Sequence, residues 1–364
     1  MGKDVIVDRY ARLYEIPFQL ARLGHTVQGF CLSYQGHDEG QWRHDAQPGQ
    51  LTWESRSLGK LVVPALLDYP RHLLQRLEEF KPDALIGASD IPQIVLASWL
   101  SKRLNLPLLV DLYDNFEGFG QARIPGMVPA LRRAARQADV VTTTSEPLRQ
   151  LVLDAYAAQG QVVAMPSTID KSVFHPMDQA SCRKNLGLPA SVKLIGTAGG
   201  LSRDKGVDAL YAAWEIVSTQ RDDVHLVLAG PVDAGLPAPQ GDRVHYLGML
   251  PHAKTAELFN AIDVGAICIR NTVFGRYSFP QKAYEMLACG LPVAAADIGA
   301  MTHLFASAPS SLYQAEDGAS LAKALLAQLD QPAKIEVPIK DWAELIGELE
   351  VKLKALPRLV SHAT

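Results

Sequence analysis

The stretch Ser278–Gly290, SFPQKAYEMLACG, sets a lysine and a glutamate one helical turn apart just behind a proline. Pro280 suits the first turn of a helix, where its missing N–H costs nothing, and Gly290 suits the stop. A helix N-terminus presents free N–H groups and the positive end of the dipole, so it can hold a phosphate. Phe279, Gln281 and Lys282 would lie at that end, and Lys282 adds a charge. Glu285 sits one turn deeper, where a carboxylate could accept hydrogen bonds from the paired hydroxyls of a sugar. Together they make a seat for a nucleoside diphosphate and its ribose. The same pattern fits an ordinary capped amphipathic helix, and the motif alone leaves both readings open.

A second cluster follows an apolar run at Val192–Thr197. Ala198-Gly199-Gly200-Leu201-Ser202-Arg203-Asp204-Lys205-Gly206 has two glycines for close backbone approach, and Arg203 and Lys205 supply charge. This suits a phosphate cradle, or equally a flexible strand-to-helix turn. It matches neither G-x-G-x-x-G nor the Walker pattern, which counts against dinucleotide and NTPase chemistry. A third cluster, Asp111, Asp114, Asn115 and Glu117, follows the strand Leu108–Leu112. Ligands of parallel sheets bind beyond the C-terminal strand ends, so these residues are placed to meet an acceptor or sugar. Asp and Asn also cap and turn loops well. No metal site is expected from any of the three.

These clusters need strands and helices in alternation, and the chain supplies them. Leu106–Leu112, Val140–Thr143, Val162–Met165, Val224–Ala229, Val264–Ile269 and Leu291–Ala296 read as strands, with helical stretches between them. That spacing signals βαβ units and parallel sheets. Ser33–Trp53 is polar and reads as loop with one strand at most. Pro166–Pro176, with no periodic pattern, reads as a connection between domains. The expected division is 1–170, 171–340 and a last amphipathic helix within 341–364 that returns to the first domain. The start is unusual: only Val5-Ile6-Val7 could form the first strand, and it abuts the helical stretch from Asp8. Either that strand is very short or the natural chain begins upstream; the second is expected, with the central place in the sheet left partly or wholly empty.

Length and charge bound the rest. At 364 residues two domains are expected, and a net charge of −4 lends nothing to nucleic-acid binding. Arg132, Arg133 and Arg136 on one helix could meet an anionic lipid, though a solvated face is the plainer reading. Cys31, Cys182, Cys268 and Cys289 show no metal-binding or disulfide spacing and fit a reducing compartment. With no stretch of ~20 apolar residues, a cytoplasmic protein is expected, with room for a peripheral membrane contact.

Taken in order, LARLGHTV, STIDKSVFHP, GGLSRDKGVDAL, VHYLGMLPHAKTAELFNAIDVGAI and SFPQKAYEMLACGLPV resemble the retaining glycosyltransferases of the GT-B fold, family four. The resemblance runs from about Leu20 to Trp342. It implies two Rossmann-like α/β domains facing a cleft, with a nucleotide sugar on the C-terminal one. Lys205 matches the family lysine that holds the donor diphosphate, and Glu285 the glutamate that binds the ribose. With Asp114 these are the expected reaction-centre residues. Gly199, Gly200, Arg203, Phe279, Gln281 and Lys282 complete the donor site. The implied reaction moves a sugar from a UDP- or GDP-sugar to a glycan or lipid-linked acceptor, in polysaccharide or glycolipid assembly, with retention and without metal or cofactor. Two positions depart from the pattern: Tyr277 stands where the family often has glutamate, and Gly200 where it has arginine. A nucleotide-sugar epimerase and a non-catalytic partner subunit are the alternatives.

Overall fold

The computed structural model describes residues 4–9, 11–33, 38–57, 62–333 and 335–356, with the side chains of 62–66 left aside. The chain forms two compact units, one of Met1–Ser167 with Trp342–Thr364 and one of Thr168–Asp341. Among the described residues no helix is long and apolar enough to cross a membrane.

Val5–Val7, the one stretch that could have formed a short first strand, is a turn. Asp4 Oδ1 accepts from the N–H groups of Ile6 (2.8 Å) and Val7 (2.9 Å), the local bonding by which aspartate favours turns. Helix α1, Ala11–Arg22, runs unbroken through Pro17. Strands β1 (Thr26–Ser33), β2 (Gly40–His44) and β3 (Gln50–Ser57) follow. Two of these lie in the stretch expected to be mostly loop. β3 buries Leu51 and Trp53 on one face, but the other carries a buried charge that hid the strand pattern: Glu54 is buried too. Its carboxylate is satisfied by His72 (2.7 Å) and Arg76 (3.1 Å) of helix α2, Val62–Phe80, and by Gln41 (2.9 Å) of β2. A buried carboxylate with three such partners keeps its charge at tolerable cost.

Strand β4 (Leu85–Gly87), helix α3 (Ile91–Leu104), strand β5 (Leu108–Leu112), helix α4 (Met127–Gln137), strand β6 (Val140–Thr143), helix α5 (Glu146–Asp154) and strand β7 (Gln161–Ala164) complete the alternation. Asp90 and Ser145 cap α3 and α5 by accepting from Gln93 N and Leu148 N. The strands form two sheets, β1-β3-β2 and β4-β5-β6-β7; β1–β3 and every neighbouring pair of the second run parallel.

The second unit opens with α6, Gln179–Leu186, a helix the sequence pattern did not reveal. Asp178 caps it, and Gly187 ends it at φ 65°. Then come β8 (Lys193–Ala198), α7 (Val207–Gln220), β9 (Val224–Ala229), β10 (Val244–Tyr246), α8 (His252–Ala261), β11 (Val264–Ile267), α9 (Val273–Tyr277), α10 (Lys282–Ala288), β12 (Val293–Ala296), α11 (Ala300–Leu304), β13 (Leu312–Tyr313) and α12 (Gly318–Asp330). One sheet of order β10-β9-β8-β11-β12-β13 crosses the unit. β8 is central and buried along nearly its whole length. Such near-continuous burial is what helices on both faces of a parallel sheet impose. Helix α13, Trp342–Lys354, belongs to the first unit and packs Ile346 and Leu349 with Ile16 and Leu20 of α1.

Candidate functional site

Three segments meet at the C-terminal end of β8. The strand leads into Gly199, whose φ of +115° lies where only glycine sits without strain. The loop is stitched to the segment after β9: Gly199 N donates to Ala229 O (3.0 Å) and Leu201 N to Pro231 O (2.9 Å). Gly230 allows this approach, since a Cβ there would stand 1.9 Å from the Gly199 carbonyl oxygen. Lys282 of α10 reaches over the loop, with Nζ 3.3 Å from where a Gly199 Cβ would be. The backbone of Gly199 and Gly200 thus lies bare beneath a lysine.

Burial and nearby charges set the character of this place. Burial pushes the Lys282 pKa down, and the Lys205 charge lowers it further, against opposing contributions from Cys268 and Glu285. Burial also pushes the Glu285 carboxyl up to about 7, and Lys282 only partly offsets this. Lys205 stands with its ammonium 5.0 Å from the Phe274 ring centroid, an arrangement that holds a cation. Two ammonium groups therefore flank exposed loop backbone, with a carboxyl one turn behind. That arrangement fits a diphosphate with a hydroxylated sugar next to it.

Helix α10 starts at Lys282, not at the expected Pro280, although the Pro280 carbonyl still accepts from Ala283 N at 2.9 Å. Gly290 ends it at φ +73°, and Leu291 N closes back onto Met286 O at 3.0 Å. Phe279 packs on Tyr284, ring centroids 4.6 Å apart, and so shapes the entry to the helix. Gln281 is the residue ahead of the first turn. Gly200 carries no strain, and a side chain there would make only ordinary contact with Lys205. Arg203 is drawn away: it is largely exposed and faces Asp208 at 3.8 Å. Phe274 was not expected; α9 is too short to leave a periodic signal.

In the first unit the structure separates the acidic residues that the sequence grouped. Asp111 is fully buried and bound by the Arg12 guanidinium, with contacts of 2.5 and 3.1 Å, and by Thr142 Oγ1 at 2.6 Å. Arg12 also donates to Met165 O. This carboxylate ties α1 to the sheet and is not presented to a ligand, contrary to its expected place on the acceptor side. Glu117 is held by Arg132 through two bonds of 2.7 and 2.9 Å. Burial raises its pKa, but the bonds from Arg132 and Tyr156 win and keep it low. Arg132 thereby leaves the basic face, and Arg136 donates to Tyr156 O. Asn115 caps its own turn, accepting from Glu117 N at 3.1 Å. Asp114 accepts from Asn115 N at 2.7 Å and stays at the strand end. Tyr113 beside it is pushed up to about 12 by burial, with Asp114, Asp90 and Asp111 adding to the shift. Asp90 thus joins the strand-end acids unforeseen; its helix cap was the available signal.

Comparison with known proteins identifies the family and the fold. Residues 192–331 match a family model described as "Glycosyl transferases group 1", and residues 11–168 one described as "Glycosyl transferase 4-like domain". The D-inositol 3-phosphate glycosyltransferase of Acidothermus cellulolyticus is 30% identical over 65% of this chain and 57% of its own length. That of Stackebrandtia nassauensis is 28% identical over 61% and 51%. The chain spans about half the length of the curated relatives it matches. Among solved structures, sucrose-phosphate synthase from Thermosynechococcus elongatus aligns over 97% of this chain and 93% of its own, with TM-score 0.70 and 20% identity. Anabaena HepE in complex with UDP and glucose aligns over 84% and 86%, with TM-score 0.62 and 19% identity. The fold is GT-B.

Proposed function

The chain belongs to the group 1 glycosyltransferases, and from that premise we propose that it moves a sugar from a UDP- or GDP-sugar to an acceptor hydroxyl with retention at the anomeric carbon. The observation that carries this is the reach of Lys282 over bare Gly199 backbone, with Lys205 beside it and Glu285 behind. When the glycosidic bond to the diphosphate breaks, negative charge grows on the leaving oxygen. Lys282 and Lys205 are already in place to stabilise it, so little reorganisation is needed at that moment. Glu285 takes the ribose hydroxyls. Asp114, on the first unit, is the proposed acceptor-side carboxylate. The reaction as proposed uses no bound metal, because the two lysines supply the countercharge. The acceptor is a glycan or lipid-linked sugar in polysaccharide or glycolipid assembly in the cytoplasm; the free thiols of all four cysteines suit that compartment.

The test is calorimetric titration with UDP- and GDP-sugars, followed by NMR of the product formed with candidate acceptors. Saturable binding of one donor and an axial or equatorial product matching that donor are expected. Binding without transfer or donor hydrolysis would favour a non-catalytic partner subunit. An epimerised sugar with no elongated acceptor would favour the epimerase.

A further inference from the structure

Lys205 and Phe274 come from different loops of the second unit. Lys205 closes the turn Arg203–Lys205 after β8, and Phe274 lies on α9, after β11. β8 and β11 are parallel neighbours in the sheet, so the two loops lie side by side at its C-terminal end. Gly206 shows how close they come: a Cβ there would stand 3.2 Å from the Ile269 carbonyl carbon and 3.3 Å from its nitrogen. α9 is fastened from within and from beside. Thr272 Oγ1 accepts from Gly275 N at 3.2 Å, and Arg276 Nε donates to Asn271 Oδ1 at 2.8 Å. Glu316 accepts from Arg270 Nε at 2.8 Å and from Asn271 N at 3.1 Å.

Phe274 does not serve the core. α9 buries Gly275, while Phe274 is 41% exposed and Val273 52%. What the ring does meet is a cation. The Lys205 stem passes Gly200, its Cγ 3.8 Å from where a Cβ would stand, and its ammonium ends 5.0 Å from the Phe274 ring centroid. Among the described residues no carboxylate pairs with Lys205. Asp208 faces Arg203 at 3.8 Å, Glu316 is taken by Arg270, and Asp204 and Asp208 both act on Arg270. A carboxylate would hold the ammonium too, but it would cancel the charge and compete with an incoming anion. An aromatic face attracts a cation through its quadrupole and leaves that charge whole.

We propose that Phe274 is a positioning residue: its ring holds the Lys205 ammonium at the loop without neutralising it, so that a nucleoside diphosphate meets a lysine already placed and fully charged. This rests on the donor reading above. The hold has a second effect. A Lys205 fixed at the loop is a like charge near buried Lys282, whose other titratable neighbours are Cys268 and Glu285, and it depresses the Lys282 pKa further. A Lys205 released into solvent would do so less. Losing the ring should therefore show at two lysines, although it meets only one of them.

The test compares Phe274→Leu, which keeps an apolar side chain and removes the ring, with Phe274→Tyr, which keeps the ring. In the free protein the Lys205 Hε protons are followed by NMR of isotope-labelled lysine and assigned by their loss in Lys205→Arg. A ring-current shift is expected in the parent and in Phe274→Tyr, and none in Phe274→Leu. UDP, and GDP in parallel, are then titrated by calorimetry at several pH values. Phe274→Leu should bind about two- to fivefold more weakly, the worth of an exposed cation–π contact, and Phe274→Tyr as well as the parent. The alkaline fall of affinity should begin at higher pH in Phe274→Leu, because Lys282 has lost a like-charged neighbour; a change in packing alone would not move it. A parent Lys205 signal at the position of a solvated lysine overturns the proposal. So does equal affinity in Phe274→Leu and the parent, or a loss in Phe274→Tyr as large as in Phe274→Leu. A parent that binds neither UDP nor GDP while its Lys205 signal is ring-shifted overturns the donor reading and leaves the hold itself supported.

Discussion

Glu285 is a carboxyl whose ionisation opposes folding. Its value in the unfolded chain is near 4.5, and burial raises it to about 7 in the folded protein. The unfolded state therefore loses its proton first. As pH rises from about 4.5 to 7 this group takes stability from the fold, and above 7 the loss is constant. Glu285→Gln should flatten that decline: melting temperatures of variant and parent should converge near pH 4 and separate in the variant's favour by pH 8. Parallel curves would show that the carboxyl is not desolvated. The same variant should bind donor less well, because a charge-assisted bond to the ribose is lost. Glu285→Ala and Lys205→Ala should each cost about 1.5–3 kcal/mol of UDP-sugar affinity, read by calorimetry. Unchanged affinity in both would move the donor away from this helix and loop. Lys282 adds a pH signature of opposite sense. Its pKa is lowered, so its charge is lost at a lower pH than an ordinary lysine's, and diphosphate affinity should begin to fall correspondingly early on the alkaline side. Lys282→Met should remove that early fall.

Elements place these residues, and two contacts decide whether they can. The approach of the segment after β9 to the Gly199 loop depends on Gly230, at φ +126°. Gly230→Ala must push the Gly199 carbonyl aside, so donor affinity should fall even though no ligand group is altered. Gly200→Ala has room and should leave affinity nearly unchanged; similar losses in both would contradict the close approach. In the first unit Arg12→Met strands the buried Asp111 carboxylate and should cost about 3–5 kcal/mol in urea unfolding. Arg12→Met with Asp111→Leu should recover much of that, because the charge goes with its partner. Here lies the limit of what sequence could tell. The GG loop and the α10 segment were legible because glycine, proline and charge stand at fixed short offsets. Asp111 was misplaced because what occupies it comes from a residue far away in the chain, and no local pattern records an Arg12–Asp111 pair. Ser33–Trp53 was read as loop with one strand at most, and holds two, for a related reason: Glu54 reads as a solvent residue until His72 and Arg76 of another element are seen against it.

The two units differ as wholes. One has a continuous sheet with a buried central strand; the other has two sheets flanking a cavity. Calorimetry should therefore show the first unit melting below the second, and UDP-sugar should move the upper transition more than the lower. A single transition that shifts as one would show the units to be coupled. The chain enters the second unit at Thr168 and leaves it at Asp341, and the Thr168 hydroxyl donates to the Lys340 carbonyl. Entrance and exit are thus side by side. For α13, which must find α1 across the full length of that insertion, the search is set by whether the insertion has already folded. Unfolded, it is one long loop whose closure entropy opposes the encounter. Folded, it is a clasp that delivers Trp342 next to Ser167. Closure entropy therefore favours an order in which the middle of the chain finishes first and brings the ends of the first unit together.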